Sequence, residues 1–466
     1  MSGRVRGWSI QVAWAPGAAV ASSAESGSTV EIAGRRITLG VLPVALQDAL
    51  SRFDCGVPLS EVEQRALDAG GALTLAQWLV LRRRLEGSAA VTYTLRAGGR
   101  VRAVFAPSCP GPALDFDERT GAVRLSRFAF VRRVRGATVL DSPLARGTVQ
   151  LCDSQSLSML FDDLVPGAMP SEVADSPSWR AGLTTLVRAA NLLLDVESDG
   201  STAEDRDPVH RSWEFADLLL HMRSRSPRHD RPSGGTFPWR GIFDPLPALK
   251  PSMSDDRIRL ASPRQPTQAS HDAVVDGRRS LRSQADAPMS AESLGHFLWR
   301  SARAVDRDDE ALGRPYPVVH RIYPGGGACY PLEVYLVIRA CDGIAPGLYH
   351  YAVADHCLER LGLADNECEE LSAQYAWMMP ERALPQVLCI ISARFLRTAW
   401  KYQSIAYALT LKEVGVLYES MYLAASAGGL AACAVGTGVG PRFSALIGAD
   451  PLAESPVGEF IVGRHA

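Results

Sequence analysis

Tyr323-Pro-Gly-Gly-Gly-Ala-Cys-Tyr-Pro-Leu-Glu-Val-Tyr335 runs a triple-glycine turn straight into an apolar strand. Three glycines after a proline leave backbone amides with no side chains in the way, so a flat or anionic ligand can approach closely. Read alone, the motif also fits a tight surface turn, although Tyr323, Tyr330 and Pro331 would be costly on a bare one. Outward from the turn, helices and strands mix. Residues 291–304 read as a helix, and 333–338, 347–351 and 385–392 as strands. Residues 405–427 read as one long apolar helix, and 430–435 and 459–462 as strands. This order predicts an α+β sheet domain with a long buried helix over 271–466.

The N-terminal half has a different pattern. Over 27–110, helices at 41–54, 59–69 and 73–86 precede a hairpin, 91–96 with 100–105, that turns at Gly98-Gly99. Helices followed by a hairpin are the order of a winged helix-turn-helix. Over 115–226, strands at 124–134 and 137–140 precede helices at 178–196 and 213–222, which reads as a second helical, winged-helix-like module. Residues 227–270 are rich in Pro, Arg and Asp without periodicity, so a linker or an arm packed along a neighbour is expected.

Composition narrows the function. The chain has 466 residues, 47% apolar and 21% charged, with a net charge of −2. Wholesale disorder and bulk nucleic-acid binding are therefore not expected. Arg82-Arg83-Arg84 fan over about 200° of a helix and form no groove-facing stripe, so no nucleic-acid partner is expected. No run approaches about 18 apolar residues, so no membrane span is expected. The stretch with Arg4, Arg6, Trp8 and Trp14 lacks the apolar core of a secretory signal. The nine cysteines are scattered without a Cys-x-x-Cys pair, which suits a reduced cytoplasmic protein with neither a metal site nor a disulfide framework. Only Lys250, Lys401 and Lys412 among the 49 Lys and Arg residues are lysine. A retained lysine is then a candidate for a role that guanidinium cannot fill.

Three further clusters could carry chemistry. Arg278-Arg279-Ser280-Leu281-Arg282 offers guanidiniums and a hydroxyl that suit a phosphate, or it is a solvated charge run. Lys401-Tyr402 could point into one cleft from a loop, where an ammonium beside a phenol favours the phenolate and makes a general base. The alternative is two half-buried surface residues. The glycine-rich run 428–440 lacks the setting of a dinucleotide fold. His320 and His350 read as packing or hydrogen-bonding residues.

In order, these elements resemble the nitroreductase superfamily. They are most similar to its azoline dehydrogenases of the SagB type, which oxidise thiazoline and oxazoline rings on ribosomal peptides to thiazoles and oxazoles. The resemblance runs over about 271–466 and includes Pro346-Gly-Leu-Tyr-His-Tyr and Glu413-Val-Gly415. It implies FMN as cofactor. Arg278, Ser280 and Arg282, with Arg279 alongside and Arg464 from the terminus, would hold its phosphate and ribityl chain. Pro324, Gly325, Gly326 and Gly327 would lie along its ring, with Gly436 near it. Lys401 and Tyr402 would be the catalytic pair. The resemblance further implies a homodimer, a cyclodehydratase partner, and an azoline-containing precursor peptide whose leader pairs as an extra strand beside the wing of the N-terminal modules. Two departures stand out: Gly325 where the family commonly has Ser, and Val416 where it often has His. They keep open a degenerate flavoprotein that serves as scaffold or leader-binding subunit. A nicotinamide-driven nitro or quinone reductase is the third reading.

Overall fold

The computed structural model describes residues 7–23, 27–32, 35–109, 111–162, 178–226, 232, 234–308, 314–362, 365–436, 438 and 440–466. They form two compact units, Met1–Asp230 and Arg231–Ala466. No helix among the described residues is long and apolar enough to cross a membrane.

The first unit opens with β1 (Trp8–Trp14), in which Ile10, Val12 and Trp14 alternate inward. A small antiparallel sheet follows: β2 (Ala19–Ser23), β3 (Gly27–Ile32) and β4 (Arg35–Gly40). Then come α1 (Val44–Ser51), β5 (Val57–Pro58) and α2 (Leu59–Gly87). The two helices expected at 59–69 and 73–86 are α2, broken at Gly70 and at Gly71, whose φ of +62° suits glycine. The hairpin β6 (Val91–Ala97) and β7 (Arg100–Pro107) forms as expected.

The surroundings of that hairpin were not expected. β1 pairs along β6, and β7 pairs with a later strand, Gly147–Leu151. The hairpin therefore lies inside one seven-stranded sheet that also takes in 130–134 and 137–141. The boundary expected between 27–110 and 115–226 falls within this sheet, and neither edge of the wing is open to an added strand. β4 keeps an edge unpaired among the described residues. The arginine triplet is dispersed: Arg82 turns inward to Glu63 and the Leu114 carbonyl, and Arg83 caps the Gly111 carbonyl.

The second unit starts with an arm, not a free linker. Of the linker or arm expected over 227–270, residues 227–231 and 233 lie outside the described residues. The rest packs on the unit and supplies β8 (Arg257–Arg259), the edge strand of the main sheet. After α3 (His271–Gly277) and α4 (Ala291–Ser301) come β9 (Leu332–Ile338), β10 (Gly347–Ala352), β11 (Cys357–Leu361), β12 (Val387–Arg394), α5 (Phe395–Ala399), α6 (Ala406–Ala427), β13 (Leu430–Val435) and β14 (Glu454–Arg464). The antiparallel order is β8-β11-β10-β9-β12-β14-β13. β9 and β12 are buried along their whole length, as central strands covered on both faces must be. α6 packs Val414, Leu417, Met421 and Ala424 into that core.

Candidate active site

The glycine turn and the Lys401-Tyr402 loop meet. α5 ends at Ala399, and the amides of Lys401 and Tyr402 both donate to the Thr398 carbonyl. The chain then leaves the helix and re-forms it only at Ala406, so adjacent side chains can share a cleft. Lys401 Nζ donates to the Gly327 carbonyl at 3.0 Å. A Cβ built on Gly327 would lie 2.1 Å from the Tyr402 hydroxyl and 2.6 Å from Lys401 Nζ. With φ at +62°, Gly327 is the one residue type that leaves this point open.

Three further side chains complete the site. Tyr316 donates its hydroxyl to the Gly327 carbonyl at 2.6 Å and accepts from Lys401 Nζ at 2.6 Å. Burial alone would depress the Lys401 ammonium, but the phenols of Tyr316 and Tyr402 hold it above its ordinary value. From α6, Glu413 accepts the Gly326 amide at 3.2 Å. Burial pushes its carboxyl up to about 7 against that amide and the charges of Arg321 and Arg397. Phe237 comes from the arm, whose Thr236 and Phe237 amides both donate to the Lys401 carbonyl. Tyr316 could have been noticed as an aromatic fixed between Pro315 and Pro317, and Glu413 as the acid of the Glu-x-Gly motif. Nothing local marks Phe237.

The departure at Gly325 is filled from outside. A Cβ there would meet the Tyr330 ring at 2.8 Å and Glu413 Oε1 at 2.9 Å, so these neighbours occupy the space a serine would need. Val416 packs against the core.

The arginine cluster forms a second locus, packed against α6 through Tyr422. Ser280 Oγ lies 2.9 Å from the Tyr422 hydroxyl, Arg278 stacks over the Tyr422 ring at 5.2 Å, and the Leu281 amide binds the Ala432 carbonyl. The Arg464 carbonyl accepts the Ala285 amide, which brings the terminus alongside. Arg282 and Arg464 are exposed and make no side-chain ion pair among the described residues. Arg279 instead turns back onto the Asp276 and Arg278 carbonyls. Gly436 follows β13, where Tyr418 of α6 donates to the Val435 carbonyl. Glu413 at the turn and Tyr422 at the cluster are nine residues apart on α6, about 14 Å of helix.

These residues fit an extended mononucleotide flavin. Unpaired guanidiniums stand at one end and a side-chain-free glycine cradle at the other. Glu413 Oε1, buried and without a hydrogen-bond partner among the described residues, would gain one from a polar ring edge.

Residues 275–464 match the model of the nitroreductase family, and residues 123–230 match that of the cyanobactin oxidase ThcOx. A nitroreductase-type protein of Methanocaldococcus jannaschii is 29% identical over 163 residues, 35% of this chain and 76% of that protein. The trifolitoxin-processing protein TfxB of Rhizobium leguminosarum bv. trifolii is 27% identical over 150 residues, 32% of this chain and 40% of its own. The microcin B17-processing protein McbC of Escherichia coli is 30% identical over 128 residues, 26% of this chain and 46% of its own. The chain thus matches less than half the length of each of these two processing proteins.

Proposed function

We propose, from the premise that residues 275–464 are a nitroreductase-family oxidoreductase domain, that this protein oxidises azoline rings on a ribosomally made peptide to azoles. The observation that carries the reading is the convergence of Lys401 and Tyr402 over Gly327, which a small-molecule reductase on this fold has no need of. The match of 123–230 to a cyanobactin oxidase supports it.

FMN, when bound, would accept the hydride that aromatisation releases. Arg278, Ser280, Arg282 and Arg464 would hold its phosphate and ribityl chain, and Pro324 to Gly327 would lie along its ring. The chain's own part is the proton. Tyr402, acting in its phenolate form, takes it from the ring's acidic Cα–H and becomes the neutral phenol, and Lys401, hydrogen-bonded to Gly327 and Tyr316, places positive charge beside it. The test is incubation of the full chain and FMN with an azoline-bearing peptide under air. A loss of about 2 Da per ring is expected, and an unchanged peptide mass defeats the reading.

Flavin retention should depend on the arginines unequally. Arg282→Ala removes charge-assisted bonds worth about 1.5–3 kcal/mol, so FMN affinity is expected to fall at least tenfold. Arg279→Ala, which frees only local carbonyls, should leave it nearly unchanged. Fluorescence titration of the refolded apoprotein with FMN measures both, and equal affinities for the two variants would leave the cluster without this role.

Leader recognition belongs to the first unit in this reading. With the wing closed on both sides, β4 offers an open strand edge next to an apolar groove. Beside it Leu39, Leu42, Leu73, Val80 and Leu81 line an apolar groove of about 340 Å³, and Leu73 and Val80 are each 72% exposed. An extended peptide could pair with β4 and bury its apolar side chains there. Val80→Asp is expected to weaken leader binding at least tenfold without unfolding the unit, since a charge in that groove must be desolvated. Fluorescence anisotropy with a labelled leader checks this, and unchanged affinity moves the leader elsewhere. Exposed Tyr407 and Leu411, four residues apart on α6, support a homodimer. A cyclodehydratase would supply the azoline.

A further inference from the structure

Tyr316 belongs to no motif of the chain, yet its hydroxyl sits at the centre of the site. It is 9% exposed. It donates to the Gly327 carbonyl and accepts from Lys401 Nζ, both at 2.6 Å, and the same ammonium lies 4.9 Å from the centre of its ring. Pro315 and Pro317 restrict the backbone on either side. Across from it, the Phe237 ring lies 6.0 Å from the Tyr316 ring. The two line a cavity of about 400 Å³ with Pro315, Gly327, Ala328 and Lys401. Phe237 has a φ of +49°, a region that bulky residues avoid. The Lys401 carbonyl, which takes both arm amides, keeps it there.

We propose that Tyr316 is a positioning residue for Lys401. Its hydroxyl fixes the ammonium over Gly327, and its ring, with Phe237, walls the cavity that holds the substrate's five-membered heterocycle. The assignment rests on the azoline reading. A lysine ammonium on its four-carbon stem is a flexible point charge, and without Tyr316 only the Gly327 carbonyl and the Tyr402 phenol would be left to hold it. The other ionisable groups facing the ammonium are Tyr402, Cys329 and, at the cavity edge, Arg314. No carboxylate pairs with it among the described residues. A flat ring with an apolar face and one acceptor nitrogen suits a cavity with two aromatic walls, a small floor of Gly327 and Ala328, and a cation at its end.

Because the chain has only Lys250, Lys401 and Lys412 as lysines, each can be titrated separately. The full chain with FMN is pulsed with acetic anhydride across a pH series, and acetylation is read at each lysine by peptide mass spectrometry. In Tyr316→Phe the Lys401 midpoint is expected to move to lower pH, because the lost hydroxyl is a group that holds it up against burial. The Lys250 and Lys412 midpoints should stay, which also reports an intact fold. On an azoline peptide, kcat should fall about ten- to a hundredfold with KM within about twofold, since the ring wall survives. Phe237→Ala should instead raise KM about tenfold. An unmoved Lys401 midpoint in Tyr316→Phe overturns the positioning role, and an unmoved KM in Phe237→Ala removes that wall. If the midpoint moves but wild-type protein forms no azole, the assigned reaction is wrong and the positioning of Lys401 stands.

Discussion

Tyr402→Phe lowers azole formation by about 10²–10⁴-fold while FMN stays bound, as expected for loss of a general base. The substitution keeps ring volume and removes only the hydroxyl that converges on Gly327. Lys401→Ala should cost a similar factor, because it strips the positive charge from a point shared by Tyr316, Gly327 and Tyr402. Lys401→Arg is expected to give no rescue. Lys401 Cε lies 3.1 Å from where a Cβ on Gly235 would stand, and Nζ 2.6 Å from one on Gly327. The broader, planar guanidinium cannot reproduce the compact ammonium's contacts to Gly327 and Tyr316. The assay is the mass change of an azoline peptide under air at equal flavin content. Near-normal rates in both Tyr402→Phe and Lys401→Ala would make the pair structural and defeat the mechanism.

Glu333→Ala is the second large effect, on stability. Glu333 is 1% exposed on β9. It accepts from Arg394 at 3.2 Å and faces His350 Nε2 at 3.3 Å, while His350 Nδ1 lies 3.0 Å from Glu359. Burial would raise the Glu333 carboxyl, but the His350 hydrogen bond, with the charges of His350 and Arg394, brings it down to about 2. Removing Glu333 from such a buried network leaves Arg394 without its carboxylate and His350 with Glu359 alone, and costs about 3–5 kcal/mol. Urea unfolding of the second unit, followed by flavin release, measures it, and a loss below about 1 kcal/mol would mean that water screens the network. The pH dependence has a definite sign. The depressed Glu333 contributes stability fully above its ordinary value of 4.5 and loses it as the pH falls toward 2. Burial opposes the His350 imidazolium, but its two carboxylates raise it overall. Its contribution is full below 6.5 and is lost as the pH rises through the raised value.

The second unit was readable because its elements are punctuated. Glycine, proline and long apolar runs bracket nearly every strand, and α6 falls within a residue of its expected limits. The first unit was less so. Trp8, Ile10, Val12 and Trp14 alternate as a strand should, but the mixed small residues around them hid the pattern, and β1 proved to be what closes the wing. The strand at 147–151 seals the other side, and its local pattern does not announce it. Which edge of a hairpin is covered depends on pairing between distant segments, and local pattern does not encode it. The same limit applies at the site. Gly325 to Gly327 and Lys401-Tyr402 announce themselves by composition. Tyr316 and Phe237 reach Lys401 from 85 and about 160 residues away in sequence, as ordinary aromatic residues in a chain that has many.

The arm has a consequence for the order in which the molecule assembles. The Trp400 indole donates to the Phe243 carbonyl across 157 residues, Arg397 to the Leu246 carbonyl across 151, and Arg394 to the Pro247 carbonyl across 147. Contacts of such separation carry a large loop-closure cost and form late. During synthesis the arm leaves the ribosome well before α5 exists to receive it. The wall at Phe237 and the seat of Lys401 are thus among the last parts of the unit to form, and a nascent chain halted before Lys401 holds neither. A protein cut at 271 would keep the sheet's central strands but lose the segment that clamps α5. The fragment that retains a complete site begins near 231, at the boundary between the two units.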